Sequence, residues 1–585
     1  MTDPILPGLS RRRVLGAAAG LGAAAATTWL AGCDSGGTTP QSNETPAGVA
    51  NVPKKELGPE AADGPFYPDS FLGARARDYE PFTDGAKTFK VVVPQDPVTA
   101  GDWNTNHFSQ WLEERTGMKV EYQAVLTTDA EGATDMTKIN AMIASGDVPD
   151  AFIAIPFTPA QISLYGEQGL FVPLDDLIET YAPELRQAFT DYPDLRRDLK
   201  SLDGKTYQMK CLSDCFHCKV SGGRAWVHED YLADVGGAMP TTTEELRELL
   251  MLFKERDPSG TGQMIPLAAG EDNPLENYFM NSFLQTPATD WITLNDGKVV
   301  FVADKPEWRE GLRYLRTLYD DGTLTTSTLT ATAEEVLTAG NQGRIGVARS
   351  YYQGQIADLS DKPGDLWTKY VALPPVKGPG GVQLSCWSDN LTTGIPLLIT
   401  NKATNPELFV QWGDYQLELT AQLMSYGGDK GPDGNWDWAA EGDTGLNGEQ
   451  AVWYNKEFPA PVGQGWGQKH LYYFSKGFRE GQRSDPERPN FEQFLYEATK
   501  PYEQYKPARE NQLPKLIFDD ASAADQSTRQ ASIEPFVKQS FAEFCTGKQD
   551  INDDAAWQSY VDTLDQMGVK QQVELYQRTF EAMPK

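Results

Sequence analysis

The chain has 585 residues, 40% of them hydrophobic and 11% aromatic, enough apolar material for a large core, which excludes a chain that is disordered overall. Its formal net charge of -32 disfavours nucleic acid and polyanions as partners and reads as a solubilising surface, although a local basic pocket would override the average. At this length two lobes or more are expected.

In chain order the first signal is Ser10-Arg11-Arg12-Arg13-Val14-Leu15, a paired arginine ahead of an apolar run from Val14 to Leu30 that is built largely of Gly and Ala. That run is an export-signal core. It is too weakly hydrophobic for a stable span, and no other stretch approaches the roughly 18 apolar residues that crossing a bilayer requires. Leu30-Ala31-Gly32-Cys33 closes the run with small residues and a thiol, and this resembles a bacterial lipobox. The alternative is an ordinary cleavage site with an incidental cysteine. Residues 1–32 are therefore expected to be a twin-arginine-type lipoprotein signal peptide, with Cys33 lipidated and the protein held at the outer face of the cell membrane. Two acyl chains on one residue suffice for stable anchoring. Residues 33–85 are expected to be the lipidated cysteine and a flexible tether, since the stretch from 34 to about 60 is rich in Gly, Ser, Thr, Pro, Gln and Asn.

From Thr88 the pattern becomes strand, helix, strand: Phe89 to Val93, a helix-like stretch from Phe108 to Glu114, then Lys119 to Tyr122. Met136, Ile139, Met142 and Ile143 repeat at helical spacing before Ser145-Gly146 stops the helix, and Ala151 to Ile155 is a buried-strand run. Such alternation predicts a mainly parallel sheet covered by helices. Pro240 to Glu245 offers overlapping capping boxes for a helix with the apolar face Leu246, Leu249, Leu250 and Phe253. Trp308, Leu312, Leu315, Leu318 and Tyr319 form another face, Asn405-Pro406 opens a further helix, and the segment after Pro535 reads as helical to the end. Residues from about 427 to 490 are dense in Gly, Asp and Trp without periodicity, which predicts functional loops.

Several short segments then fall in one order along most of the chain. They are Ala144-Ser145-Gly146-Asp147-Val148-Pro149-Asp150, Gly169 to Leu177, Asp203-Gly204-Lys205-Thr206-Tyr207, Trp226 to Leu232, Pro240 to Leu246, Gly343-Arg344-Ile345-Gly346-Val347, and Trp557 to Phe580. This ordered set resembles a family-one extracellular solute-binding protein, the lipoprotein receptor of an ABC importer, close to the oligosaccharide-binding branch that includes alginate-binding proteins. The resemblance implies an α/β fold of the two-lobed, periplasmic-binding-protein-like type II, with discontinuous lobes joined by hinge strands and a helical C-terminus. Lobe 1 would comprise residues 86–207 plus about 385–426, lobe 2 residues 208–384 plus about 470–585, with irregular Trp- and Gly-rich loops over about 427–469. It implies no catalysis, and no cofactor or metal is expected. The partners would be a small-molecule or oligosaccharide ligand and an ABC permease in the membrane, with the receptor monomeric. Relatives of the alginate-binding type carry a calcium loop after the Thr-capped helix. Here Asp257-Pro258-Ser259-Gly260-Thr261-Gly262 keeps the first Asp but loses the other anionic ligands, so the loop reads as a structural turn.

A neutral sugar offers hydroxyls and apolar CH faces, so its site needs aromatic planes beside amides and carboxylates. Asp102-Trp103-Asn104 follows the first strand, Tyr351-Tyr352 follows Arg344 to Ala348, and Trp387-Ser388-Asp389-Asn390 precedes the strand at Ile395 to Ile399. Together with Trp436 these are the candidate ligand-binding residues, core packing being the alternative for each aromatic. Cys211, Cys215, Cys218 and Cys386 are disulfide candidates whose pairing the sequence leaves open. Zinc on the thiolates and His217 is a further option. A lipid-anchored glycoside hydrolase or lyase is the competing function, because aromatics and carboxylates line such clefts as well. Replacing Arg11 and Arg12 by Lys is expected to trap the precursor inside the cell, read by fractionation; unchanged export would refute the twin-arginine route.

Overall fold

The computed structural model describes residues 52–583 apart from 129–133, 361, 363, 392, 393, 395, 457–459 and 486–489. The signal segment and Cys33 lie outside the described residues. Two sheets organise the body. Their strands in chain order are β1 (Thr88–Pro94), β2 (Lys119–Val125), β3 (Ala151–Ile153), β4 (Gln208–Met209), β5 (Ala225–His228), β6 (Ile265–Ala268), β7 (Ile345–Arg349), β8 (Tyr370–Leu373) and β9 (Leu397–Ile399).

The first sheet has the order β2-β1-β3-β9-β4. β1 pairs in parallel with β2 and β3, and Val91, Val92 and Val93 are fully buried because helices cover both faces. β9 returns from the second sheet and therefore runs antiparallel to β3 and β4. The second sheet, β8-β5-β7-β6, holds one parallel pair, β7 with β6, and two antiparallel ones. The expectation of a mainly parallel sheet rests on residues 88–155, and there β1, β2 and β3 do run parallel, whereas the second sheet is mixed.

Local signals set the helix ends. Asn106 accepts from the Phe108 and Ser109 amides to start His107–Thr116, and Gly146 at φ 72° closes Thr137–Ser145 in the left-handed region. Thr242 and Glu245 form the capping box of Thr243–Arg256. The C-terminal part is helical over Asp520–Thr546, Asp554–Gln566 and Val569–Ala582. Pro535 lies inside the first of these rather than ahead of it. A proline removes one backbone donor, and packing of Ile533, Val537 and Phe541 in the second core carries the helix across it.

Two large cores result. Trp103, Trp412, Trp436, Trp453 and Trp466 are buried in the first, and Trp308, Leu312, Leu315 and Leu318 in the second with Phe541 and Phe544. The Trp- and Gly-rich stretch therefore builds the first core, where loops were expected: Trp436–Trp438 pairs antiparallel with Trp453–Asn455. Leu471 to Phe474 and Phe478 join the same core, so it extends past the boundary expected at about 470. The segment from Lys55 to Phe82 is also folded, against the expected tether. Lys55 donates its amide to the Thr180 carbonyl at 2.7 Å, Ala74 and Ala76 are buried, and the Tyr79 hydroxyl donates to Glu184 at 2.7 Å.

His470 is enclosed by Phe108, Tyr472 and Phe474. Nδ1 lies 2.8 Å from the Gly467 carbonyl, and among the described residues Nε2 has no partner. Burial lowers its pKa from 6.5 to about 3. The folded state therefore binds fewer protons than the unfolded one across that window, so stability is full above pH 6.5 and is lost as pH falls. His470→Gln is expected to flatten urea-unfolding stability between pH 6.5 and about pH 5 by ~2 kcal/mol; an unchanged slope would count against a neutral His470. Trp103→Ala is expected to cost ~3–5 kcal/mol in the same assay, the cost of emptying a large core site.

Candidate ligand-binding cleft

In open α/β sheets ligands sit beyond the carboxyl ends of the strands. In the second sheet the ends of β6 and β7 meet the start of β5, with Ala348 opposite Ala268 and Arg349 opposite Ala225. Two arginines, each 1% exposed, tie this edge together. Arg224 donates to the Tyr351 carbonyl at 2.6 Å, to Thr499 Oγ1 at 2.8 Å and to the His217 carbonyl. Arg349 donates to Asn273 Oδ1 at 2.9 Å and to the Gly222 carbonyl, and its guanidinium lies 4.7 Å from the centre of the Tyr351 ring. Burial lowers both guanidinium pKa values, Arg224 to about 10. Trp226 adds a bond from Nε1 to the Ser350 carbonyl at 3.1 Å.

Two chain segments meet at this edge. The Ser388 amide donates to the Lys219 carbonyl at 2.9 Å. A Cβ on Gly223 would stand 2.4 Å from Cys386 Cβ and 2.7 Å from the Asn277 carbonyl oxygen, so only glycine fits there. Within 211–218, Cys215 and Cys218 form a disulfide. Cys211 and Cys386 are buried thiols, pushed up to about 12 by burial, and Cys211 Sγ faces the His470 carbonyl at 3.2 Å. His217 pairs with Glu492. Cys215, His217 and Cys218 form a group whose ligand atoms lie within 4.8 Å of one another, but in this structure the two sulfurs are bonded to each other. At the former calcium position, Asp257 accepts from the Gly262 amide at 2.6 Å and from the Ser259 hydroxyl, which closes a turn.

A cavity of about 750 Å³ opens beside the crossing. Of the expected ligand residues, Tyr351, Trp387 and Asn390 line it. Trp387 is 7% exposed and is oriented from behind: Nε1 donates to Asp389 Oδ1 at 2.8 Å, and Asp389 Oδ2 accepts from Gln512 at 2.9 Å. Burial pushes the Asp389 carboxyl up, but bonds from Trp387 and Gln512 and the charges of Lys219 and Lys506 outweigh it and hold it below its ordinary value. Asn390 donates to the Leu513 carbonyl at 3.1 Å. Gln285, Gln512, Gln526 and Lys219 complete the polar lining. Sequence reasoning missed these, because isolated polar residues, Gln285 and Gln512 in loops and Gln526 on a helix, carry no spacing signal.

The other candidates lie elsewhere. Trp103 is in the first core, with Nε1 bonded to the Pro94 carbonyl at 3.0 Å and its ring 5.0 Å from Trp466. Its polar neighbours serve the backbone: Asp102 accepts from the Asn104 amide at 3.0 Å, and Asn104 exchanges two bonds with the Tyr122 main chain. Trp436 is fully buried, donating to the Gly428 carbonyl at 2.7 Å. Tyr352 packs against Phe491 at 6.3 Å. Trp103 and Trp436 are thus core, while Asp102 and Asn104 are exposed and Tyr352 is half-buried, none of them lining this cavity.

Comparison with known proteins agrees with this architecture. The chain is 26% identical over 357 residues to the fructooligosaccharide ABC transporter substrate-binding protein FusA of Streptococcus pneumoniae, covering 59% of this chain and 64% of that one. It is 23% identical over 270 residues to the polygalacturonan/rhamnogalacturonan-binding protein YtcQ of Bacillus subtilis, covering 44% and 50%. The matches thus span under two thirds of either relative. A solved structure of FusA with kestose superposes with a TM-score of 0.68 at 21% identity, covering 85% of this chain and 99% of that one. A human-milk-oligosaccharide-binding, ABC-transporter-associated protein from Bifidobacterium longum infantis gives 0.69 at 20% identity over 87% and 100%. These superpositions establish the two-domain fold. The family described as bacterial extracellular solute-binding protein matches residues 79–423, more than half of the chain, and the chain belongs to that family.

Proposed function

We propose that this protein is the solute receptor of an ABC importer, and that its solute is an oligosaccharide bound beside the segment crossing at Gly223. The observation that carries this reading is the cavity in which Tyr351 and Trp387 stand among the amides of Gln285, Asn390, Gln512 and Gln526. A sugar ring presents CH groups to an aromatic plane, while its hydroxyls both donate and accept, and amides answer both roles. The similarity to FusA and YtcQ, whose names specify oligosaccharide and pectic polysaccharide binding, supports the same class. The competing reading, a glycoside hydrolase or lyase, is tested directly below.

The proposed cycle follows from the two cores. The parts of the body that carry the first and second sheets close on the sugar, and the closed form docks on the permease. In this reading a diacylglyceryl group on Cys33 keeps the receptor outside the cytoplasm and beside its transporter. Among the described residues no helix is long and apolar enough to cross a membrane.

A thermal-shift screen of oligosaccharides is expected to find saturable ligands, a ligand at one hundred times its Kd adding about 2.7 kcal/mol of stability. Tyr351→Ala and Trp387→Ala are each expected to weaken the best ligand by about fivefold or more in calorimetry, since a lost aromatic contact is worth ~1 kcal/mol or more. Release of reducing ends from any bound oligosaccharide would overturn the receptor reading in favour of an enzyme.

A further inference from the structure

The acidic average conceals one place where cations gather. A second cavity, of about 800 Å³, lies where the first-core elements meet the C-terminal segment, with Arg197, Gln208 and Lys210 on one side and Lys515 and Arg578 on the other. Arg197 is already balanced by Asp194 and Asp198 at 3.1 Å each, and Lys200 by Asp175. Lys210 and Lys515 are not balanced in this way: among the described residues neither makes an ion pair. Lys210 is 8% exposed, so its ammonium is largely stripped of water. Burial and then the charge of Lys515 lower it to about 8, with Asp198 opposing in part. The buried ammonium of Lys210 beside the exposed Lys515 is unfavourable until an anion lies between them.

The same wall also lacks a donor. Gln208 is 4% exposed, and among the described residues its Oε1 has no hydrogen-bond partner. The Asp519 carboxylate is used in capping the helix Asp520–Thr546. The wall therefore asks for an anion at Lys210 and Lys515 and for a hydroxyl donor at Gln208. An inorganic oxyanion such as sulfate brings acceptors only, whereas a sugar acid brings a carboxylate and hydroxyls on one ring.

We propose that this cavity is a subsite for a carboxylate-bearing sugar residue, held by Lys210 and Lys515 from the two sides of the boundary. Lys515 also lines the cavity of Tyr351 and Trp387, so a saccharide chain can run from the aromatic wall to the cationic one. This assignment rests on the oligosaccharide reading above and narrows it to acidic saccharides.

The test uses the full mature chain and isothermal calorimetry with three probes: uronic-acid oligosaccharides of galacturonate, glucuronate and mannuronate; neutral oligosaccharides of matched length; and sodium sulfate. At least one uronic-acid series is expected to bind about tenfold tighter than its neutral counterpart. Lys210→Gln is expected to abolish that preference while leaving neutral binding within about twofold, and Lys210→Arg to restore most of it. Lys515→Gln, at a more exposed position, is expected to reduce the preference as well, and urea midpoints check that each variant folds. Neutral binding without any acidic preference, or a preference that survives both Gln variants, overturns the subsite and leaves the receptor standing. Sulfate competing as well as the uronates overturns the sugar-acid assignment in favour of an oxyanion site. Binding of neither saccharide class overturns the receptor reading itself.

Discussion

Arg224 and Arg349 put two positive charges where water does not reach, and most of the cleft depends on how those charges are satisfied. Removing a guanidinium from water costs several kcal/mol, and among the described residues neither side chain meets a carboxylate in an ion pair. Each is instead stabilised by hydrogen bonds to carbonyl and side-chain oxygens of the Tyr351, His217, Thr499, Asn273 and Gly222 residues. The planar five-donor group suits this task, because it can hold several backbone segments in one geometry at once. Those segments are the end of β7, the loop after the disulfide and the helix Phe491–Glu503. The arginines therefore hold this edge in one shape, and in the proposed receptor a preformed rim would lower the ordering cost of binding.

The same arrangement explains why chain crossings concentrate at one place. Gly223 lies against Cys386 with no room for a side chain, and the Ser388 amide reaches the Lys219 carbonyl. From there the chain leads to β9, which joins the first sheet, so segments of both sheets are fastened near the cavity. The disulfide between Cys215 and Cys218 restrains the loop that carries His217, and the His217–Glu492 pair ties that loop to the helix Phe491–Glu503. The segment after that helix then supplies Gln512, Leu513 and Lys515 to the cavity walls.

Much of the fold was legible because local chemistry and burial agreed. Asn106, Gly146 and the Thr242–Glu245 box mark helix ends by bonds made within a few residues, and Val91 to Val93 spell a strand covered on both faces. The site was legible only in part. Tyr351, Trp387 and Asn390 meet on one cavity, whereas Trp103 and Trp436 have the same kind of polar, loop-like sequence neighbours and are core. The difference is where the indole N–H goes. In Trp103 and Trp436 it bonds to a main-chain carbonyl inside the first core, while in Trp387 it bonds to Asp389 at the cavity wall. A sequence window shows the tryptophan and its neighbours but not that acceptor.

The sequence by itself determined the family-level order of motifs, the position and type of most helices, the two-lobed α/β class and the cysteines from which a bridge could be drawn. These are properties of short windows, set by side-chain periodicity and by bonds that close within one turn. Only the tertiary structure decided that Cys215 bonds Cys218, that Lys55 to Phe82 belongs to the folded body, that the tryptophans near residue 450 fill a core, and that Lys210 faces Lys515. Each of these joins residues through packing or through charges whose partners are chosen by proximity in space, and proximity across tens to hundreds of residues has no local signature.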